Sequence, residues 1–163
     1  MNKESRILHL IAHNIRSAQN IGSLLRTCDS LGIGKLWITG YTPTPKHTRV
    51  KKTALGAEQS VVWEQVLDVQ EAIKHLKSQG YSVAALETGA QSVDLVDYAA
   101  PERLALLLGN EVEGVPPSLL SMCDGVVSIK QVGKKESLNV AVATAIAAYW
   151  ILNTEHKIQS TKH

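Results

Sequence analysis

Cysteine is nearly missing from this chain, and the two residues present lie far apart in it. Cys28 and Cys123 are the two present in 163 residues, with no Cys-x-x-Cys motif, and the six histidines are scattered. That excludes the common zinc spacings and a disulfide framework, so no metal is expected. Long hydrophobic runs are also lacking. The apolar stretch that follows Met1–Arg6 is too short for a signal peptide, and the weakly polar run near Leu138–Leu152 falls short of a bilayer span. No membrane association and a cytoplasmic location are therefore expected. The net charge of +2 is too small to imply a nucleic-acid partner by itself. No internal repeat, linker or low-complexity segment interrupts the chain, which reads as one domain over residues 1–163.

What is present is an alternation of apolar runs and helical periods. Strands are expected at Ile7–Ala12, Lys35–Thr39, Val61–Trp63, Tyr81–Leu86, Leu104–Leu108 and Val126–Ile129. Helices are expected at Asn20–Leu31, where Ile21, Leu24, Leu25, Cys28 and Leu31 keep a 3.6-residue period, and at Val69–Ser78. Two more are expected after Pro116-Pro117 and over Leu138–Glu155. A basic, Pro/Thr-rich loop is expected from Tyr41 to Lys52 and an irregular segment over Glu87–Pro101. Continuously apolar strands alternating with helices indicate an α/β fold with a mostly parallel sheet.

Four constellations carry chemistry, each with a bland alternative. Arg26 lies between Leu25 and Cys28 on the first helix, so it either snorkels outward or belongs to a site, and Asn20 either caps that helix or joins the same site. The segment Lys46-His47-Thr48-Arg49-Val50-Lys51-Lys52 is a phosphate-contact surface or a solvated loop. The loop Gly109-Asn110-Glu111-Val112-Glu113-Gly114 follows a strand with the spacing Gly-x-Glu-x-x-Gly. A glutamate in place of the middle glycine of a dinucleotide fingerprint adds bulk and negative charge, so the loop suits a ligand without phosphate or with a positive centre. Its bland role is a first-turn charge at a helix N-terminus. Finally, Ser137 and Asn139 stand on a strand-to-helix turn beside Lys134-Lys135, as N-caps or as site residues. The Asn139–Trp150 helix is apolar almost all round, which points to a dimer contact.

Three blocks together resemble the SpoU–TrmH family of RNA ribose 2′-O-methyltransferases in the SPOUT superfamily. They are Asn20-Ile21-Gly22-x-x-x-Arg26-Thr27, Leu107-Leu108-Gly109-Asn110-Glu111-x-x-Gly114-Val115, and Ile129-x-x-x-Gly133-x-x-x-Ser137-Leu138-Asn139-Val140. The likeness covers nearly the whole chain. It implies a parallel sheet with helices on both faces, whose C-terminal third is tied in a deep trefoil knot, an exception to the rule that chains do not thread loops. It also implies S-adenosylmethionine held by Leu86, Glu87, Thr88, Gly109, Asn110, Glu111, Ile129 and Leu138. The catalytic set it implies is Arg26 with Asn20, Glu111, Ser137 and Asn139, in a homodimer where Arg26 of one subunit faces cofactor on the other.

The family account makes the arginine a base. A free guanidinium keeps its proton far above neutral pH, which favours a charged Arg26 that stabilises the developing alkoxide instead. Lys130 stands where many relatives carry proline and Ala141 where serine is common. The resemblance leads us to expect a chain without the N-terminal RNA-binding domain of the rRNA-modifying relatives and without the longer helical extensions of the best-known tRNA relatives. RNA contact, with tRNA or rRNA as substrate, is then expected from Arg16, Lys46, Arg49, Lys51 and Lys52, with Lys134 and Lys135 as further candidates. The competing expectation is a catalytically silent RNA-binding or assembly protein on the same fold.

Overall fold

The computed structural model describes residues 5–135 and 137–154. Seven strands form one sheet in the order β3-β2-β1-β6-β4-β7-β5. They are β1 (Ile7–His13), β2 (Lys35–Thr39), β3 (Trp63–Gln65), β4 (Ser82–Leu86), β5 (Val93–Asp94), β6 (Arg103–Leu108) and β7 (Gly125–Ser128), and every pairing is parallel. The helices are α1 (Ala18–Leu31), α2 (Thr48–Ala54), α3 (Ala57–Ser60), α4 (Val69–Ser78), α5 (Pro117–Leu120) and α6 (Val140–Asn153).

The period of two along each central strand divides the core into two layers. Leu104, Leu106 and Leu108 of β6 pack with α1, α2, α3 and α6, while Ala105 and Leu107 face α4 and α5. Helices therefore cover both faces, as the apolar strands require. The chain leaves β1 in one direction, through β2 and β3, and builds the rest of the sheet on the other side. The carboxyl ends of β1 and β6 thus meet at a topological switch point, where open α/β sheets form their ligand crevices.

Several elements differ from the sequence reading. The end of the expected Tyr41–Lys52 loop is helical: His47 caps α2 by accepting from the Arg49 amide, and Val50 and Ala54 are buried one turn apart while Arg49, Lys51 and Lys52 face out. Two inward residues on two turns leave too little period to read. Helix α1 starts at Ala18 and is capped by Ser17, so Asn20 lies inside the helix and is not its cap. Strand β3 is displaced to Trp63–Gln65 because Val61 closes α3, and the irregular Glu87–Pro101 segment contains the two-residue β5. Helix α6 begins at Val140, with Asn139 as its cap. The expected end at Glu155 lies outside the described residues. At its last turn Arg6 donates to the carbonyls of Ile151 and Thr154, which places a cation at the negative end of the helix.

Candidate functional site

Loops after β1, β4, β6 and β7 converge at the switch point. The loop after β6 is organised by Asn110. Its side-chain oxygen accepts from the amides of Val112 and Glu113, both at 2.9 Å, and its Nδ2 donates to the Asn14 carbonyl at 3.0 Å and to Tyr41 Oη at 2.9 Å. The loop closes on itself so tightly that a Cβ on Gly109 would lie 2.4 Å from the Gly114 carbonyl carbon. Gly114 adopts φ +67°, and a Cβ there would meet Glu87 Oε2 at 2.2 Å. Glu87 in turn accepts from the amides of Thr88 and Val115, both at 2.9 Å, and so joins the β4 loop to the β6 loop.

Glu111 looks away from this clamp and toward α1. One carboxylate oxygen accepts from the Arg16 amide, and the other from the Ser17 amide, all at 3.0 Å, with Asn20 Nδ2 adding a bond at 3.1 Å. Burial alone would raise its pKa. The amides of Arg16, Ser17 and Glu111 and the Asn20 side chain outweigh that and hold the carboxyl below its usual range. The chain of bonds continues. Asn139 Nδ2 donates to Asn20 Oδ1 at 3.1 Å, while Asn139 Oδ1 caps α6 by accepting from Ala141 and Val142. Glu111, buried Asn20 and Asn139 thus form one relay across three segments.

Between these loops lies a pocket with apolar walls from Leu86, Ile129, Leu138, Val140 and Ala143. Thr88, Ser128, Gln131 and Ser137 are its polar lining residues, and Glu87 and Glu111 its acidic ones. No lysine, arginine or histidine is among the lining residues. Lys130, Lys134 and Lys135 line an adjoining depression that shares Thr88, Ser128, Ile129 and Gln131, and the pocket itself suits a ligand with an apolar body and a positive centre better than a phosphate.

Residues 7–149 match the profile of the SpoU rRNA Methylase family. The chain belongs to this family. A tRNA (guanosine(18)-2′-O)-methyltransferase of Aquifex aeolicus is 30% identical over 91% of the chain and 70% of its own length. The enzyme of that name from Thermus thermophilus is 33% identical over 87% and 72%. The mouse protein of that name is 35% identical over 87% of the chain, which spans only 9% of its length. An AdoMet-bound rRNA methyltransferase from Sinorhizobium meliloti superposes with TM-score 0.84 at 25% identity, covering 90% of this chain and 56% of that one. A structure described by 2-OH methylation of C/U34 on tRNA gives 0.81 at 26% identity, covering 90% and 94%.

All eight positions that the SpoU resemblance assigned to a cofactor, Leu86, Glu87, Thr88, Gly109, Asn110, Glu111, Ile129 and Leu138, line the one pocket, and Ser137 joins them. Val112, Gly114, Ser128, Gln131, Val140 and Ala143 line it too without having been assigned to the cofactor, although Val112 and Gly114 lie in the Gly109–Gly114 loop and Val140 closes the third motif. Most adjoin residues that were named, so motif proximity was the available signal. Asn20 and Asn139 reach the pocket through Glu111. Arg26 does not lie with them. It is exposed and borders a separate depression with Ser23, Thr27, Ser30 and Leu31 of α1 and Ala145 and Tyr149 of α6. At about 100° per residue, Arg26 turns away from the Leu24, Leu25 and Cys28 stripe, so its apolar sequence neighbours are not its spatial ones. Helix α6 is apolar almost all round, as the sequence indicates, but only part of its surface is buried. Ala141, Ala147, Ala148 and Ile151 are buried, while Val142, Ile146, Tyr149 and Trp150 are exposed.

Arg16, Lys46, Arg49, Lys51 and Lys52 are all exposed. Among the described residues no group of three or more His, Cys, Asp or Glu could hold a metal ion, and no helix is long and apolar enough to cross a membrane.

Proposed function

We propose that this chain is an S-adenosylmethionine-dependent methyltransferase acting on a ribose 2′-hydroxyl of tRNA or rRNA, as a cytoplasmic homodimer with a C-terminal trefoil knot. The observation that carries the reading is the pocket, which combines apolar and acidic lining residues with no cation and adjoins the Glu111–Asn20–Asn139 relay. The names of the relatives, which methylate tRNA or rRNA, support it. When bound, S-adenosylmethionine supplies an electrophilic methyl group on a cationic sulfonium.

The residues divide the remaining work. Leu86, Thr88, Gly109, Ile129 and Leu138 hold the cofactor, with Glu87 clamping the loops around it. Glu111 stays ionised and fixes the β1–α1 turn, and Asn20, Asn139 and Ser137 order the edge where the ribose enters. Arg26 comes from the second copy of the chain. It borders the same flank of α6 that exposes Ala145's neighbours Ile146 and Tyr149, so pairing through that apolar face carries Arg26 to a partner's pocket. There it remains charged and stabilises the developing alkoxide, with the proton leaving to water. Arg16, Lys46, Arg49, Lys51 and Lys52 contact RNA phosphates.

The test is nucleoside mass spectrometry on tRNA and rRNA incubated with the protein and isotopically labelled S-adenosylmethionine. A labelled 2′-O-methyl nucleoside is expected, and it should be absent with Arg26→Ala. A folded dimer that binds RNA but no S-adenosylmethionine would replace this reading with the silent RNA-binding protein.

A further inference from the structure

We infer that Tyr41 is a stacking platform for an unpaired base of the RNA substrate, held at the rim of the cofactor pocket by Asn110. The inference rests on the reading of RNA as the substrate and goes beyond it to one contact.

Among the described residues three tyrosine or tryptophan side chains are exposed, and two of them, Tyr149 and Trp150, belong to the outer face of α6. Tyr41 stands elsewhere, at the carboxyl end of β2, with 59% of its surface exposed. It is nonetheless firmly held. Its hydroxyl accepts from Asn110 Nδ2 at 2.9 Å, and its backbone amide donates to Asn14 Oδ1 at 3.2 Å. Both neighbours in sequence are fixed as well. Gly40 adopts φ +63°, where an added Cβ would lie 1.9 Å from Asn14 Oδ1. Buried Thr42 donates to the Ala12 carbonyl and accepts from the Ile15 amide. Asn14 itself takes φ +52°, a backbone region uncommon outside glycine, and its carbonyl accepts the second Asn110 Nδ2 bond.

The fold therefore spends two left-handed residues and a shared asparagine on positioning a ring that it leaves bare. A ring placed for the core would be covered, since burial is where an aromatic contributes stability. A bare ring, tethered by hydrogen bonds and close in the chain to basic residues, is what single-stranded RNA recognition uses, because every base has a face that can stack. The chain runs from Tyr41 through Pro43 and Pro45 directly into Lys46 and Arg49, which supply the phosphate contacts that flank a stacked base. On the other side Asn110 lines the cofactor pocket, so the ring is one hydrogen bond from the site where the ribose must lie.

The test compares wild type with Tyr41→Ala, Tyr41→Leu and Tyr41→Phe, each checked for unchanged S-adenosylmethionine affinity and melting temperature. Binding is measured to oligoadenylate and to an abasic oligoribonucleotide of equal length. Tyr41→Ala and Tyr41→Leu should weaken oligoadenylate binding about tenfold or more, the range of a single lost stack. Tyr41→Phe keeps the ring but loses the hydroxyl that accepts from Asn110, so it should bind oligoadenylate more tightly than the leucine variant and more weakly than wild type, and all four proteins should bind the abasic strand alike. In the methylation assay the alanine variant should raise KM for RNA with kcat largely kept. If Tyr41→Ala fails to fold, the leucine and phenylalanine pair carries the comparison. Equal oligoadenylate binding by wild type and the leucine variant would overturn the platform, as would a loss of the same size on abasic strand. Wild type that binds neither strand would overturn both the platform and the RNA reading. Base-dependent binding through Tyr41 without methyl transfer would uphold the platform and remove the transferase.

Discussion

Glu111 does two jobs with one carboxylate: it terminates the β6 loop against α1 and it puts a fixed negative charge on the pocket wall. Glu111→Gln keeps the shape but replaces one of the oxygens that now face amide donors with an NH2 group. It should cost about 1–2 kcal/mol of stability, measured by urea denaturation, and lower S-adenosylmethionine affinity by titration calorimetry. Because the folded carboxyl is held below its usual range, the stability it contributes is present above its unfolded pKa and is lost as pH falls through the folded value. His9 acts in a higher window. Its Nδ1 accepts from Trp37 Nε1 at 3.2 Å, so Nε2 carries the ring proton toward Tyr81 Oη, also at 3.2 Å. Burial, with the charges of Lys35 and Arg103, brings its pKa down to about 4. The unfolded chain takes up a proton near pH 6.5 that the folded one refuses until about pH 4, so stability should decline as pH falls between those values and be flat above them. Melting temperatures across that range should show a shallower decline for His9→Gln than for wild type. For Arg26 a charged role predicts that Arg26→Lys keeps measurable methyl transfer, with Arg26→Ala at background. A lysine variant as inactive as the alanine one would return the arginine to the role of base.

At the scale of elements, the contact between α1 and α2 decides where the basic surface lies. Gly22 makes it possible: a Cβ there would lie 2.5 Å from Thr53 Cβ and 2.9 Å from both the Ala54 nitrogen and the Val50 carbonyl oxygen. In an isolated helix Gly22→Ala would be favourable by about 1 kcal/mol. Here it must push α2 backbone away, and overpacking of that kind typically costs about 1–3 kcal/mol. The substitution should lower the melting temperature and weaken RNA binding together, because Arg49, Lys51 and Lys52 ride on the displaced helix. Replacing those three residues by alanine should instead leave the melting temperature nearly unchanged and reduce the salt dependence of RNA binding.

For the whole molecule, the separation of Arg26 from its own chain's pocket predicts complementation between subunits. On the proposed pairing of two chains, Arg26→Ala should be inactive for want of the arginine, and Thr88→Trp should be inactive because its indole fills the pocket. Mixed dimers of the two contain one site with an intact pocket from the first chain and an intact arginine from the second. Co-expression should therefore restore a clear fraction of wild-type activity. Independent sites within each chain would restore none. Ile146→Asp, which places a charge on the exposed apolar face of α6, should shift the protein toward monomer in sedimentation and abolish methyl transfer while S-adenosylmethionine pockets keep their lining.

Local sequence determined the identity of most strands and helices, since an alternation of apolar residues every two or every 3.6 positions reports which face an element will bury. The pocket positions were named by the resemblance to the SpoU family, whose motifs lie largely in the loops after β6 and β7 at the carboxyl edge of the sheet. Tertiary structure decided what no short window contains. The insertion of β6 between β1 and β4, the bond from Asn139 to Asn20 and the grip of Asn110 on Tyr41 all join residues far apart in the chain. The outward aim of Arg26 was settled in the same way. Its neighbours in sequence are leucine and cysteine, and only the packing of α1 against the sheet determines which side of the helix remains to meet another molecule.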